Sequence, residues 1–361
     1  MNPNLPTTDH KYEKFLDQLS DKSLAIVYSY SNTIDKRRTW YDRWKSAVVL
    51  YFGQGAEALG LDVRYIDVDT YLAEMAIAGK FHNDYVLNLH SGLNQISSWP
   101  IISSLASWRN VPVGPCPSDV HITCERKDVT RAFAEQLGMQ LPRKWEDGAQ
   151  SECTFVIKER DLGMSVGLRK SDDTLELQAA STQSNLIVEE FISGYDATVA
   201  VIANSNDDYT IIGAKCCLPK GDNPHEWMFT EEIKSLPMSN SEYEIGDISV
   251  DVGVGFELKK ISHMLGDGAI YRYDFRIKPL EDGSVPSVMT IENSWFLEVT
   301  PTPTMSEHNE FGMMMKAAVE DSDLLKDLVG ESARRFTGQF APQSVLVANL
   351  LYKAQSNLIQ R

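Results

Sequence analysis

Basic residues are in short supply in this chain of 361 residues: 34 lysines and arginines stand against 51 aspartates and glutamates, a formal net charge of −17. Such a balance opposes nonspecific binding to nucleic acid and to anionic membranes, both of which reward positive surfaces. It leaves room for a phosphate site, which needs only a few local cations. Cysteine is sparse too. Cys116, Cys124, Cys153, Cys216 and Cys217 are odd in number and form no Cys-x-x-Cys pair, which excludes a disulfide framework and suits reduced thiols. No run of about 18 apolar residues signals a membrane span. The opening MNPNLPTTDHKYEKF lacks the apolar stretch of a signal peptide. The expectation is a cytoplasmic protein without nucleic-acid or membrane partners.

What is present is an ordinary apolar content, 43%, on a chain long enough for two or three packed lobes. SLAIVYSY (23–30) reads as a buried strand and TWYDRWKSAVVLYFGQGAEALGL (39–61) as a helix. DVRYIDVD and YVLNLH are further strands, so the first lobe is expected to hold a parallel sheet. NVPVGPCPSD (110–119), with three prolines and a glycine, marks a boundary. TCERKDVTRAFAEQLGMQLP reads as one helix capped by Thr123, with Val129, Phe133 and Leu137 on one face and a stop at Gly138. Strands are expected in TFVIKE, SVGLRK, NLIVEEFI, DATVAVIA, YTIIGAKCCL, AIYRYDFRIKP and SWFLEVT. VDVGVGFELKKISHMLG and SVLVANLLYKAQSNLIQ are expected helices.

Three stretches hold candidate chemistry. In YRYDFRIK, strand alternation puts Arg272, Asp274, Arg276 and Lys278 on one face. In WFLEVT it groups Phe296, Glu298 and Thr300. If these strands pair, Asp274 and Glu298 converge beside Arg272: hard oxygen ligands for Mg²⁺ next to a fixed cation. On spacing alone, charged rows on a solvated sheet face are the commoner explanation. In VIKERDLGMSVGLRK, a strand delivers Lys158 to a turn containing Gly163, Ser165 and Gly167, whose N–H groups could approach phosphate oxygens. No GK[ST] follows, so it is not a P-loop, and taken alone a plain hairpin with an exposed lysine is the commoner explanation. In LIVEEFISGYDATVAVI, Glu189 and Glu190 precede Phe191 and Ile192. That order suits a hinge that bonds a purine edge and packs its ring, with Asp196 placed for ribose hydroxyls. A surface turn is the open alternative.

Taken in order, VIK…GMSVG, VEEFISGYDATV, YRYDFR and FLEVTPTPTMSEH resemble the D-alanine–D-alanine ligase family of the ATP-grasp superfamily, from roughly His90 onward. The resemblance implies an α/β (α+β), three-lobed architecture: an N-terminal parallel α/β substrate domain (1–114), a central subdomain (115–187) and a C-terminal subdomain (188–361), the last two sandwiching ATP. It implies phosphate contacts from Lys127, Lys158, Lys234, Gly163 and Ser165. Adenine and ribose contacts are implied for Glu189, Glu190, Phe191, Ile192 and Asp196. One or two Mg²⁺ ions, or Mn²⁺, are implied on Asp274, Glu298 and Thr300. Arg272 would hold a tetrahedral oxyanion with help from the Thr304 N–H, and His90, Asn309 and Glu310 would lie beside the substrates. A homodimer is the family's usual form.

The departures from the family pattern cluster where substrates are expected. Thr300 and Thr304 replace the usual Asn and Gly, Met164 stands where a serine is expected, and Asn309 and Glu310 replace Ser-Leu. YSYSNTIDKRR lacks the glutamate-bearing opening that holds an ammonium, and KPLEDGSVPSVMTIENS is a lengthened loop. The resemblance therefore implies an ADP-forming carboxylate–amine ligase acting on small molecules of altered identity, as in specialised metabolism. A cell-wall D-alanine–D-alanine ligase and an inactive nucleotide-binding homologue are the alternatives.

Overall fold

The structure, a computed structural model, describes residues 8–29, 46–76, 82–90, 100–146, 153–161, 163, 165, 167–221, 224–230, 232–233 and 242–359. Its first part is a parallel sheet of β1 (Ser23–Tyr28), β2 (Asp62–Asp67), β3 (Tyr85–Leu89) and β4 (Val113–Gly114), in the order β2-β1-β3-β4. Strand β1 is apolar and buried from Leu24 to Val27 because both its faces are covered. Leu24 and Ile26 pack against α1 (Thr8–Asp17), α2 (Ser46–Ala58) and the closing helix 341–359. Ala25 and Val27 pack against α3 (Val68–Ala76) and α4 (Ile101–Trp108).

The single helix expected over 123–138 is two. α5 (Ser118–Glu125) and α6 (Lys127–Gln136) break at Arg126, whose φ of −85° and ψ of 89° are not helical. Thr123 thus lies in the last turn of α5 instead of capping a helix. The buried positions of α6 are Lys127, Thr130, Arg131 and Ala134, so the face turned inward carries two cations. Gly138 does end the segment, at φ +76°.

A three-stranded antiparallel sheet follows, of β5 (Phe155–Glu159), β6 (Arg169–Ser171) and β7 (Leu186–Glu190), in the order β6-β5-β7. It is backed by α7 (Thr174–Ser181). The last sheet is antiparallel and five-stranded: β8 (Tyr195–Ala203), β9 (Tyr209–Pro219), β10 (Tyr243–Asp247), β12 (Ile270–Ile277) and β14 (Ser294–Thr300), in the order β10-β9-β8-β12-β14. The short β11 (Ser249–Val250) and β13 (Val288–Met289) pair separately. The alternation expected for YRYDFRI holds: Tyr271, Tyr273 and Phe275 are buried against α5, α6 and α8 (Val252–Leu265), leaving Arg272, Asp274 and Arg276 on the other face. α9 (Glu310–Glu320) lies on β9, where Gly213, at φ +147°, makes room for the Met314 side chain. α10 (Ser322–Val329) and α11 (Ala341–Ile359) complete the fold.

In β14 the expected grouping of Phe296 with Glu298 and Thr300 fails. Asp274 pairs with Glu298, yet Phe275 pairs with Phe296, so a bulge at Leu297 sets two residues of β14 against one of β12. The bulge rephases the strand. Phe296 turns into the core, edge-on to Phe275 at 5.8 Å, and Glu298 and Thr300 turn to the face of Asp274 and Arg272.

Candidate functional site

A single transverse row crosses the five-stranded sheet. Asp247, Lys215, Thr198, Asp274 and Glu298 are successive partners on β10, β9, β8, β12 and β14. Asp274 is held firmly. Arg272 grips it through Nε at 3.0 Å and Nη2 at 2.7 Å, and the Thr198 hydroxyl donates to its Oδ1 at 2.8 Å. Burial and the nearby Glu298 raise the Asp274 pKa while Arg272 opposes them. Burial also works against the Arg272 charge, but Asp274, then Glu298 and Glu310, outweigh it and raise its pKa.

Cations arrive from the flanking elements. Lys127, opening α6, reaches Glu298 at 3.2 Å. Lys158 on β5 pairs with Glu189 on the neighbouring β7, and Arg131 on α6 takes the other Glu189 oxygen at 2.6 Å. Arg276 pairs with Asp196 at 3.1 Å and donates to the carbonyls of Ile192 (3.0 Å) and Gly194 (2.5 Å), bracing the hinge after β7. Phe191 lies under the Lys170 ammonium, 3.5 Å from its ring centre, and Glu190 pairs with Arg143. Ser165, at φ +60°, donates to the Phe229 carbonyl at 2.7 Å, tying the glycine-bearing turn to the loop before β10. Gly163 lies in that turn. Lys234 and Met164 lie outside the described residues.

On the parallel-sheet side, His90 ends β3 buried, its ring bonded to the Ser29 hydroxyl. Burial pulls its pKa down to about 4. Burial, with His90 nearby, takes His121 on α5 to about 3. Glu125 goes the other way, to about 8, through burial first and then the charges of Glu298 and Asp161, with Lys127 and Arg272 opposing. Thr304 is exposed. Asn309 is occupied locally: it caps α9 by accepting from the Gly312 N–H at 2.9 Å and donates to the Thr304 carbonyl. Sequence reasoning gave no role to Thr198, Arg131, Arg276, Lys215 or Glu125. The only signal for the first was its alternation with Asp196 along β8.

No family model matches the chain. Over 196 residues it is 22% identical to a D-alanine–D-alanine ligase of Coprothermobacter proteolyticus, covering 50% of this chain and 60% of that one. Over 203 residues it is 24% identical to the ligase of Stutzerimonas stutzeri, covering 52% and 59%. The chain thus spans less than two thirds of the length of these relatives. The D-alanine–D-alanine ligase of Bacillus anthracis, solved in complex with ATP, superposes with a TM-score of 0.56 at 12% identity, over 87% of this chain and 97% of that one. The VanG D-Ala:D-Ser ligase of Enterococcus faecalis gives 0.54 at 16% identity, over 82% and 94%. The chain has the ATP-grasp fold of the D-alanine–D-alanine ligases and is a divergent relative of them. In this ligase relative, no helix among the described residues is long and apolar enough to cross a membrane.

Proposed function

We propose that the chain is an ATP-dependent, ADP-forming ligase that joins a carboxylate to an amine, with a substrate pair other than two D-alanines, in specialised metabolism. The observation that carries this is the facing pair Asp274 and Glu298, with Arg272 and Lys127 on their oxygens. A carboxylate does not react with an amine at neutral pH because its leaving group is too poor. Transfer of the ATP γ-phosphoryl to a carboxylate oxygen releases ADP and leaves an acyl phosphate. The amine, having lost its ammonium proton to solvent, then adds to the acyl carbon; as phosphate departs with its oxygen, the nitrogen gives up a second proton and the amide remains.

For this chemistry the protein mainly positions and neutralises charge. Asp274 and Glu298 would hold a Mg²⁺, with the Thr300 hydroxyl on the same face. Among the described residues no three acidic, histidine or cysteine side chains converge as a closed metal cage. That fits an ion which keeps waters and phosphate oxygens as its other ligands. The metal, when bound, would neutralise phosphate charge. Lys127, Lys158 and Lys234 would hold phosphate oxygens, Glu189 to Ile192 and Asp196 the nucleoside, and Arg272 the oxyanion.

ADP release measured against a panel of amino-acid and amine pairs tests the reading. Turnover confined to D-alanine would replace it with the cell-wall activity, and ATP binding without any turnover would leave an inactive homologue. Glu298→Ala is expected to abolish ADP formation with an unchanged circular dichroism spectrum; near-normal turnover in that variant would refute the metal assignment.

A further inference from the structure

The carboxylates on the sheet face share a property that Glu310 lacks. Asp274 has Arg272 at 2.7 Å, Glu298 has Lys127 at 3.2 Å, and Asp196 has Arg276 at 3.1 Å. Asp247 has Lys215. Glu310, the first residue of α9, leans over the same face. Its Oε1 accepts from the Cys217 thiol on β9 at 4.0 Å, and it lies within electrostatic reach of both Arg272 and Tyr243. Among the described residues no lysine, arginine or histidine nitrogen comes within 4.0 Å of its carboxylate.

Beside it stands an aromatic wall. The Trp227 and Phe229 rings stack at 5.4 Å, and Tyr243 meets Phe229 edge-on at 5.0 Å. The Trp227 indole N–H is buried without an acceptor. A half-buried carboxylate with no cation in contact is costly, and the N-terminus of α9 offsets only a small part of that. A protonated amine would satisfy it with a charge-assisted hydrogen bond, and electron-rich rings favour a cation at their faces.

We propose that Glu310 anchors the ammonium group of the amine substrate, with Trp227, Phe229 and Tyr243 packing against an apolar body next to it. Deepening the ligase reading, on which it rests, this names the amine partner's class: an amine with an apolar body, recognised through its cation and not through a carboxylate. Glu310 lies within electrostatic reach of Arg272, which the ligase reading places on the oxyanion, and of Tyr243 in the aromatic wall. A carboxylate in the same place would be repelled.

Calorimetric titration of the full chain, with and without Mg²⁺ and a non-hydrolysable ATP analogue, tests this with three probes of one shape. Phenethylamine carries only the cation, phenylalanine both charges, and 3-phenylpropionate only the anion. Phenethylamine is expected to bind at least tenfold more tightly than 3-phenylpropionate. Glu310→Gln should weaken phenethylamine tenfold or more and leave the analogue's affinity unchanged. Equal affinities for the two probes, no binding of the amine in either condition, or an unmoved amine affinity in the variant would overturn the proposal. Failure of the analogue to bind would count against the ligase reading instead, and the amine titration without nucleotide would still decide the role of Glu310.

Discussion

On the sheet face Asp274, Glu298 and Asp196, and on β7 Glu189, each touch a lysine or arginine. His90 beside the parallel sheet and His121 on α5 are buried, and Glu125 on α5 is nearly so, yet burial drives all three toward their neutral forms near pH 7. One protein thus settles the cost of inward-facing ionisable groups in two ways, by pairing and by discharge. Paired groups can exchange partners when a charged ligand arrives. Discharged groups can only exchange protons or hydrogen bonds. The first arrangement suits phosphate and metal, and the second suits a wall that shapes a pocket.

The sharpest break in the paired region is Arg272→Met. It removes the oxyanion contact and strands Asp274, so kcat is expected to fall about 10²–10³-fold and stability by about 3 kcal/mol. Adding Asp274→Asn should restore much of the stability and none of the turnover. Urea unfolding alongside ADP release checks both, and a double variant as unstable as the single would show that pairing is not the cause.

Lys127→Met probes partner exchange. Nucleotide affinity should drop roughly 10–100-fold, the scale of one lost charge-assisted contact. Mn²⁺ added alone should bind more tightly than to the wild type, because Glu298 is released. Calorimetry separates the two, and a metal affinity that falls along with the nucleotide's would contradict exchange.

The discharged region gives the smallest and most graded effect. Glu125 keeps its proton in the folded protein up to about pH 8, whereas the unfolded chain releases it near 4.5. Stability should therefore decline as pH rises through that window, by at most about 1.4 kcal/mol per pH unit from this group. His90 and His121 act oppositely. The unfolded chain binds their protons below about 6.5 and the folded protein resists until about 4 and 3, so stability declines on acidification. In metal-free protein, Glu125→Gln should flatten the alkaline decline and spare the acid one. Parallel pH profiles of the variant and wild type would place the burden elsewhere.

Much of this was legible in the sequence. A period-2 pattern with one aromatic face and one charged face fixes which residues of β12 share a side, and the parallel sheet follows from alternating strands and helices. The pairing of Asp274 with Glu298 needed only the assumption that two strands are neighbours. The break between α5 and α6 was hidden because Arg126 is a good helix former and only its tertiary setting bends it. The bulge was hidden because it exists between strands and not within one. The contacts Lys127 to Glu298, Arg131 to Glu189 and Thr198 to Asp274 join residues distant in sequence, and no local pattern announces them. The substrate end was least legible because its side chains follow no periodicity.

The bulge also makes the length of β14 unequally tolerant. Leu297 is surplus to the count of its partner strand, so a chain lacking it could still bury Phe296 and present Glu298. A chain lacking Val299 would keep Phe296 and Glu298 in place but swing Thr300 inward, so the strand's tip would lose its polar side. Shortening is silent at one position and strips a hydroxyl from the face two residues later.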